Sequence, residues 1–227
     1  MAMPAVAQVG PLSVPEKAPA QSEKEQLYHL LDDLRAAIRH DDWAEAWRLR
    51  IQLDTALDLK RRSTGQISPE LELAHVELMA GRDATTRTPL LPRLAKTAYA
   101  ARRYDKAEIY ANEALAASKQ GVFWWTGDAI HQGNIVLGRI ALLRADVPTA
   151  IGYLLAAGKT PGSSTLNTTG PNMGLARDLL NSGQTDPVVQ YLEECRAFWK
   201  ADRGKLLEWL ALVRTGLKPD FGPNLDY

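Results

Sequence analysis

The fold is decided by residues 91–118, which read LPRLAKTAYAARRYDKAEIYANEALAAS. Leucine and alanine recur every three or four residues in both halves of this stretch, which is the spacing of a helix that buries one face. The two halves meet at Arg103-Tyr104. The stretch therefore predicts helices over 91–102 and 105–118 that fold back on each other as a helical hairpin.

The same helical spacing recurs along most of the chain, and no stretch alternates with a period of two residues. The further predicted helices cover residues 27–38, 43–57, 68–81, 127–144, 147–157, 171–180, 187–200 and 206–215. In the helix over 43–57, we expect Trp43, Trp47, Ile51 and Leu57 to continue the buried apolar face. Polar residues predict loops at 83–88 and 158–172. The sequence is therefore predicted to be all-α.

Small residues recur at a fixed spacing within the predicted hairpins. In the hairpin quoted above, Ala95, Ala107 and Ala114 are separated by 12 and 7 residues. The same spacings fit three further triplets, which are Gly138, Ala150 and Ala157, then Ala176, Val188 and Cys195, and more loosely Leu34, Ala46 and Leu53. Nine of these twelve positions hold Ala, Gly or Cys. Because small side chains let helices approach closely, we expect these positions to lie at helix contacts.

This pattern resembles the tetratricopeptide repeat, a helical hairpin of about 34 residues with small residues at positions 8, 20 and 27. The resemblance covers residues 27–200 and is strongest at 91–118 and 131–157. It implies a right-handed array of antiparallel helix hairpins, a TPR-like α-solenoid, with the helix predicted at 206–215 as the C-terminal cap. The family resemblance implies binding of a protein or peptide, but it names no particular ligand.

In the tetratricopeptide family, the first helix of each hairpin lines a concave groove, and position 9 points into that groove. In this sequence the residues at that position are all basic, namely Arg35, Lys96, Arg139 and Arg177. Together with Tyr99 they form the predicted partner-binding groove. A row of cations favours a partner that carries carboxylate or phosphate groups. We therefore predict a non-enzymatic scaffold for an acidic protein or peptide; the alternative for the row is ordinary surface charge or pairing with Asp and Glu.

A second hypothesis is an enzyme or a small-ligand-binding protein with a site between the 128–139 helix and the 158–172 loop. The loop ends where the next helix is expected to begin, and the free N–H groups of a helix start attract anions. The candidate residues are Asp128, His131, Asn134, Lys159, Thr160, Asn167, Thr169 and Asn172. No third ligand accompanies Asp128 and His131, so the sequence predicts neither a metal nor a cofactor. Helix capping and ordinary hydrogen bonding are the alternative roles of these residues.

The overall charge excludes a uniformly basic protein, because the 227 residues include 27 Lys and Arg and 27 Asp and Glu. This balance argues against nucleic acid as the partner. No apolar run approaches the roughly 18 residues of a membrane helix. The N-terminus also lacks the basic and apolar regions of a secretion signal. The sequence therefore predicts a cytoplasmic protein that does not associate with membranes.

The termini differ in composition from the rest of the chain. Residues 1–24 are rich in Pro and Ala and are predicted to be a disordered tail. Residues 25–217 are predicted to form a single helical-repeat domain. Residues 218–227 are predicted to be an extended C-terminal tail, whose Pro and Gly residues favour a loose segment.

Overall fold

The computed structural model describes residues 22–64, 67–81 and 83–225. Helices account for the regular structure of these ranges, and none of the residues within them belongs to a strand. The all-α prediction is therefore confirmed. The chain divides into two compact units, residues 1–57 and 58–227, which we describe in turn. Most of the predicted N-terminal tail lies outside the described residues, and the predicted single domain over 25–217 stays a prediction.

The first unit contains α1 (Glu23–Arg39) and the first part of α2 (Trp43–Thr64). The Ser22 hydroxyl accepts a hydrogen bond from the backbone N–H of Glu25, and the Glu25 carboxylate accepts one from the backbone N–H of Ser22. This reciprocal pair fixes the start of α1, so the helix begins inside the predicted tail of residues 1–24. Each helix buries one apolar face, formed by Leu27, Leu31, Leu34 and Ala37 in α1 and by Ala46, Leu49, Leu53 and Leu57 in α2.

The prediction that Trp43, Trp47, Ile51 and Leu57 continue a buried face is confirmed for Leu57 and wrong for Trp43, Trp47 and Ile51. Their exposed fractions are 65%, 63% and 51%. The three side chains follow one another at four-residue steps, but they form a separate stripe beside the face that α2 buries. The spacing correctly predicted a helix. It did not predict which of the two apolar stripes of that helix is buried, because burial depends on the packing of other residues.

The second unit continues from the last turns of α2 into a succession of short helices. These are α3 (Pro69–Ala80), α4 (Ala84–Arg87), α5 (Leu91–Ala100), α6 (Tyr104–Ser118), α7 (Thr126–Leu143), α8 (Val147–Gly158), α9 (Ser164–Thr169), α10 (Gly174–Asn181), α11 (Thr185–Cys195) and α12 (Lys205–Arg214). Helix α5 packs against α3, α6 and α7, and α7 packs against α6, α8 and α10. Helix α11 packs against α8, α10 and α12. Consecutive helices from α5 to α8 and from α10 to α12 are therefore also neighbours in space.

Two segments predicted as loops contain short helices. In the 83–88 segment, the Asp83 carboxylate accepts a hydrogen bond from the backbone N–H of Thr86 and starts α4, which a 3-10 turn over Thr88–Leu90 follows. In the 158–172 segment, the Ser163 hydroxyl accepts one from the backbone N–H of Leu166 and starts α9. Capping side chains stabilise these single turns, although each has too few apolar residues to show a helical period.

The small-residue positions lie in the interior. All twelve are buried. At Gly138, a Cβ atom would lie 2.3 Å from Cδ2 of Leu175 and 3.3 Å from the carbonyl oxygen of Ala150. Helix α7 therefore approaches α8 closely at Gly138, and a larger residue there would have to displace the Leu175 side chain of α10. This close approach is what the spacing of Gly138 and Ala150 predicts.

The C-terminal segment is docked, so the prediction of a loose tail is wrong for residues 218–225. The Phe221 ring is 2% exposed and lies edge-on to the Trp209 ring, with 5.0 Å between centroids. The Asn224 side-chain amide donates to the carbonyl oxygens of Thr169 and Pro171 at 3.1 and 3.0 Å. The buried Phe221 ring and the hydrogen bonds of Asn224 thus hold the segment in place despite its Pro and Gly residues.

In the described part of the chain, no helix has the length and apolar character needed to span a membrane.

Candidate functional site

The 128–139 helix and the 158–172 segment do meet, as the second hypothesis requires. The Thr160 hydroxyl donates to the Gly127 carbonyl oxygen at 2.8 Å, and the Ser163 hydroxyl donates to the Asp128 carboxylate at 2.9 Å. A Cβ atom at Gly127 would lie 1.9 Å from the carbonyl oxygen of Gly162. The two backbones are therefore in direct contact, and no ligand atom fits between them at this point. Burial raises the pKa of Asp128 against the opposing effect of the Ser163 hydrogen bond.

His131 lies at the centre of this contact and is 1% exposed. Its Nε2 accepts a hydrogen bond from the backbone N–H of Asn172 at 3.0 Å, so the proton of the neutral ring is on Nδ1. That Nδ1–H faces the carbonyl oxygen of Ala157 at 3.3 Å. Burial lowers the pKa of His131 to about 4. Both ring nitrogens are thus used within the protein, and the ring is neutral near pH 7.

The other residues of the second hypothesis are also committed to local structure. Asn134 donates to the Ile130 carbonyl oxygen at 2.7 Å, and Thr169 donates to the Thr165 carbonyl oxygen at 2.7 Å. The side-chain oxygen of Asn167 accepts from the backbone N–H of Lys200 at 3.0 Å. The side-chain oxygen of Asn172 accepts from the backbone N–H of Gly174 at 2.8 Å, and Lys159 is exposed. The alternative roles of capping and hydrogen bonding describe what these residues do in the structure.

A different part of the second unit carries a pocket of about 670 Å³. Its lining includes five cationic residues, which are Arg61, Arg93, Lys96, Arg102 and Arg139. Glu72 is the one carboxylate among the lining residues. The apolar part of the lining comes from Ile67, Pro69, Ile135, Val136 and Leu225. We call this cavity the basic pocket.

Three residues of the predicted groove line the basic pocket, namely Lys96, Tyr99 and Arg139. The Arg139 guanidinium lies over the Tyr99 ring, 4.4 Å from its centroid, and its Nε donates to the Asp178 carboxylate at 2.9 Å. Burial raises the pKa of Tyr99, although nearby Arg139 opposes that effect. The hydroxyl of Tyr99 is therefore neutral near pH 7, and its ring is a platform that orients Arg139.

The other two residues of the predicted row lie elsewhere. Arg177 is not part of the pocket lining, and its guanidinium donates to the same Asp178 carboxylate at 3.0 Å. Arg35 belongs to the first unit and pairs with Asp32 at 3.0 Å. The alternative of pairing with acidic residues is thus observed for Arg35, Arg139 and Arg177. Because Asp178 is shared by two arginines, their combined positive charge is only partly neutralised.

Four charged residues of the pocket were missed by the sequence analysis. Glu72 accepts hydrogen bonds from Arg93 and from Arg61, the latter at 2.7 Å. Burial alone would raise the pKa of Glu72, but these two hydrogen bonds outweigh burial and hold the pKa below its usual value. Arg102 is exposed at the end of α5 and forms no ion pair with another residue in the described ranges. The sequence feature that could have indicated these residues is the pair of adjacent basic residues at Arg61-Arg62 and at Arg102-Arg103. Each pair lies at the end of a helix beside the pocket.

No protein-family model matches the sequence, and comparisons with curated proteins and with solved structures likewise find no match.

Proposed function

We propose that the protein is a non-enzymatic scaffold that binds an acidic segment of another protein in the basic pocket. The observation that carries the proposal is the composition of the pocket wall, where five cations face one carboxylate. A pocket lined by one sign of charge attracts a partner of the opposite sign over a distance and raises its association rate. The proposal also adopts the TPR-like hairpin array implied by the sequence, in which an inner surface receives an extended peptide.

The lining indicates what else the segment carries besides acidic groups. Tyr99 and Tyr104 stand side by side, with 5.4 Å between ring centroids, and both line the pocket. Apolar residues from three elements lie in the same cavity, among them Pro69, Val136 and Leu225. A purely charged ligand would leave this apolar surface without a partner. We therefore propose an extended segment in which acidic residues flank at least one apolar side chain.

The alternative site between α7 and the 158–172 segment is not part of the proposal. Its most buried polar group, His131, already has a protein partner at each nitrogen. The backbones of Gly127 and Gly162 also touch, which leaves no gap between the two segments at that point. In the basic pocket, in contrast, five cations share a wall with one carboxylate, which two of them, Arg61 and Arg93, contact.

The experiment measures binding of a fluorescein-labelled peptide, Gly-Glu-Glu-Leu-Glu-Glu-Gly, by fluorescence anisotropy. Reversal of Lys96 and Arg102 to Glu should weaken binding about tenfold for each substitution, because each removes an attraction and adds a repulsion. Lys159→Glu is the matched control, since it reverses an exposed lysine of the alternative site, and it should leave affinity unchanged. Circular dichroism confirms that the variants remain folded.

Three results would contradict the proposal. One is equal binding of the acidic peptide by the wild type and by the double Lys96→Glu, Arg102→Glu variant. Another is a loss of binding in Lys159→Glu alone, which would favour the alternative site. The third is preference for a single-stranded oligonucleotide over the acidic peptide at the same ionic strength, which would make nucleic acid the ligand.

A further inference from the structure

The carboxylate of Glu72 stands between two arginines of the basic pocket. Its Oε2 accepts a hydrogen bond from Nη2 of Arg61 at 2.7 Å, and its Oε1 accepts one from Nη2 of Arg93. The three residues come from different elements, because Arg61 lies in α2, Glu72 in α3 and Arg93 in α5. All three line the pocket. A side chain of the protein therefore holds the position that the acidic group of a ligand would take.

We infer that Glu72 is an internal ligand: its carboxylate pairs with Arg61 and Arg93 when no partner is bound and is exchanged for an anionic group of the partner. This inference rests on the proposed function and adds a rule of selectivity to it. The group that displaces Glu72 carries two negative charges in one place. A phosphorylated side chain and two adjacent carboxylates both meet that requirement.

The selectivity follows from the charge balance of the exchange. A partner with a single carboxylate replaces the −1 charge of Glu72 by another −1 charge, so it gains little binding free energy. Its carboxylate and the two arginines also lose bound water, which costs free energy. A doubly charged group gains a second attraction to the same two guanidiniums, and Lys96 and Arg102 reinforce it from the same wall. Glu72 thus competes effectively with singly charged groups for the two arginines, and doubly charged groups displace it.

The Glu72 carboxylate has space to turn away from the arginine pair, because the residue lines the pocket. Its side chain is 19% exposed, so one face of the carboxylate already borders the open pocket. The residue also lies in the first turn of α3, where the helix dipole stabilises a negative charge. A displaced Glu72 carboxylate therefore remains favourably placed once it turns towards solvent.

The opposite role for Glu72 is preorganisation, in which it holds the two arginines in the geometry that a ligand needs. The two roles predict opposite effects of removing its charge. An internal competitor, once neutralised, strengthens binding of acidic ligands. A preorganising residue, once neutralised, weakens binding of the same ligands.

The test uses the full chain and four fluorescein-labelled peptides of the form Gly-Leu-X-Leu-Gly, where X is Ser, Glu, phosphoserine or Glu-Glu. For the wild type we expect the phosphoserine and Glu-Glu peptides to bind about tenfold more tightly than the single-Glu peptide. In Glu72→Gln the single-Glu peptide should gain about five- to tenfold and the doubly charged peptides less, so the preference shrinks. The phosphoserine and Glu-Glu arms show which source of double charge the pocket prefers.

The matched control is Glu113→Gln, because Glu113 accepts hydrogen bonds from Arg87, with a shortest distance of 2.7 Å, and neither residue lines the pocket. This control should leave all four affinities unchanged. Glu72→Asp is the second variant in case Glu72→Gln unfolds, since the shorter side chain keeps its charge but no longer spans both arginines. It should also raise the affinity of the single-Glu peptide.

Each outcome decides between the two proposals. If the wild type binds acidic peptides but Glu72→Gln binds them equally or more weakly, the internal-ligand inference is wrong and the proposed function stands. If Glu72→Gln binds where the wild type does not, both are supported. If neither protein binds any acidic peptide, the proposed function is wrong, and the inference is overturned with it.

Discussion

Two polar regions of the second unit contain residues that the sequence proposes as binding sites, and the two regions differ in what they leave available to a partner. In the contact between α7 and the 158–172 segment, the His131 nitrogens and the Asp128 carboxylate find partners within the protein. In the basic pocket, five cations share a wall with one carboxylate, and Arg102 has no ionic partner among the described residues. Polar residues whose hydrogen bonds are satisfied internally stabilise a fold, whereas unmatched charge around a cavity is available to a partner.

The largest expected effect on stability comes from a substitution that forces α7 and the 158–172 segment apart; we call their contact the closed contact. In Gly127→Ala, the new Cβ would lie 1.9 Å from the carbonyl oxygen of Gly162, which is backbone and moves only with its segment. We expect the free energy of unfolding to fall by about 3 kcal/mol, measured by urea denaturation. Gly152→Ala is the control, because nothing lies within 4 Å of its Cβ position in α8, and it should gain about 0.5–1 kcal/mol. Equal stability of Gly127→Ala and the wild type would show that the contact is not closed.

The next effect is a dependence of stability on pH that originates in the closed contact. Burial lowers the pKa of His131 from 6.5 to about 4, so between these values the unfolded chain binds a proton that the folded chain does not. The free energy of unfolding therefore falls as pH drops, and His131 contributes a loss of about 2 kcal/mol between about pH 7 and pH 5. Urea denaturation at both pH values should show a smaller loss in His131→Gln than in the exposed-histidine control His29→Gln. Identical losses in the two variants would contradict the burial of a neutral His131.

The smallest effects separate the two kinds of cation in the basic pocket. Arg139 stacks on Tyr99 and pairs with Asp178, so Arg139→Ala should lower the free energy of unfolding by about 1–2 kcal/mol. Arg102 is exposed and without an ionic partner in the described ranges, so Arg102→Ala should change the free energy of unfolding by less than about 0.5 kcal/mol. Thermal and urea denaturation provide the two stabilities. A cost for Arg102→Ala as large as that of Arg139→Ala would mean that Arg102 serves the fold rather than a partner.

Much of the fold was predictable from helical spacing, because long amphipathic helices repeat their signal. The predicted hairpin at 91–118 corresponds to α5 and α6, whose observed ends, Ala100 and Tyr104, lie within two residues of those expected. Helix α9 was missed because one capped turn has no period to detect. The exposure of Trp47 was missed because spacing does not reveal which of two apolar stripes meets other residues.

Less of the candidate site was predictable, for a related reason. Lys96, Tyr99 and Arg139 were found because they belong to helices that the repeat pattern aligns. Arg61 and Glu72 were not found, since they correspond to none of the aligned repeat positions and reach the pocket through tertiary packing. Repeat positions identify residues on a shared helix face. They do not identify which residues from other elements complete a cavity.

The salt dependence of peptide binding tests directly whether the basic pocket attracts an acidic segment by its charge. Anisotropy of the labelled Gly-Glu-Glu-Leu-Glu-Glu-Gly peptide is measured with the wild type and with the double Lys96→Glu, Arg102→Glu variant as salt rises from about 0.05 M to about 0.5 M. We expect the affinity of the wild type to fall about tenfold or more over this range, and the variant to bind weakly at every salt concentration. Wild-type binding that is independent of salt, or a variant that binds like the wild type, would contradict this expectation.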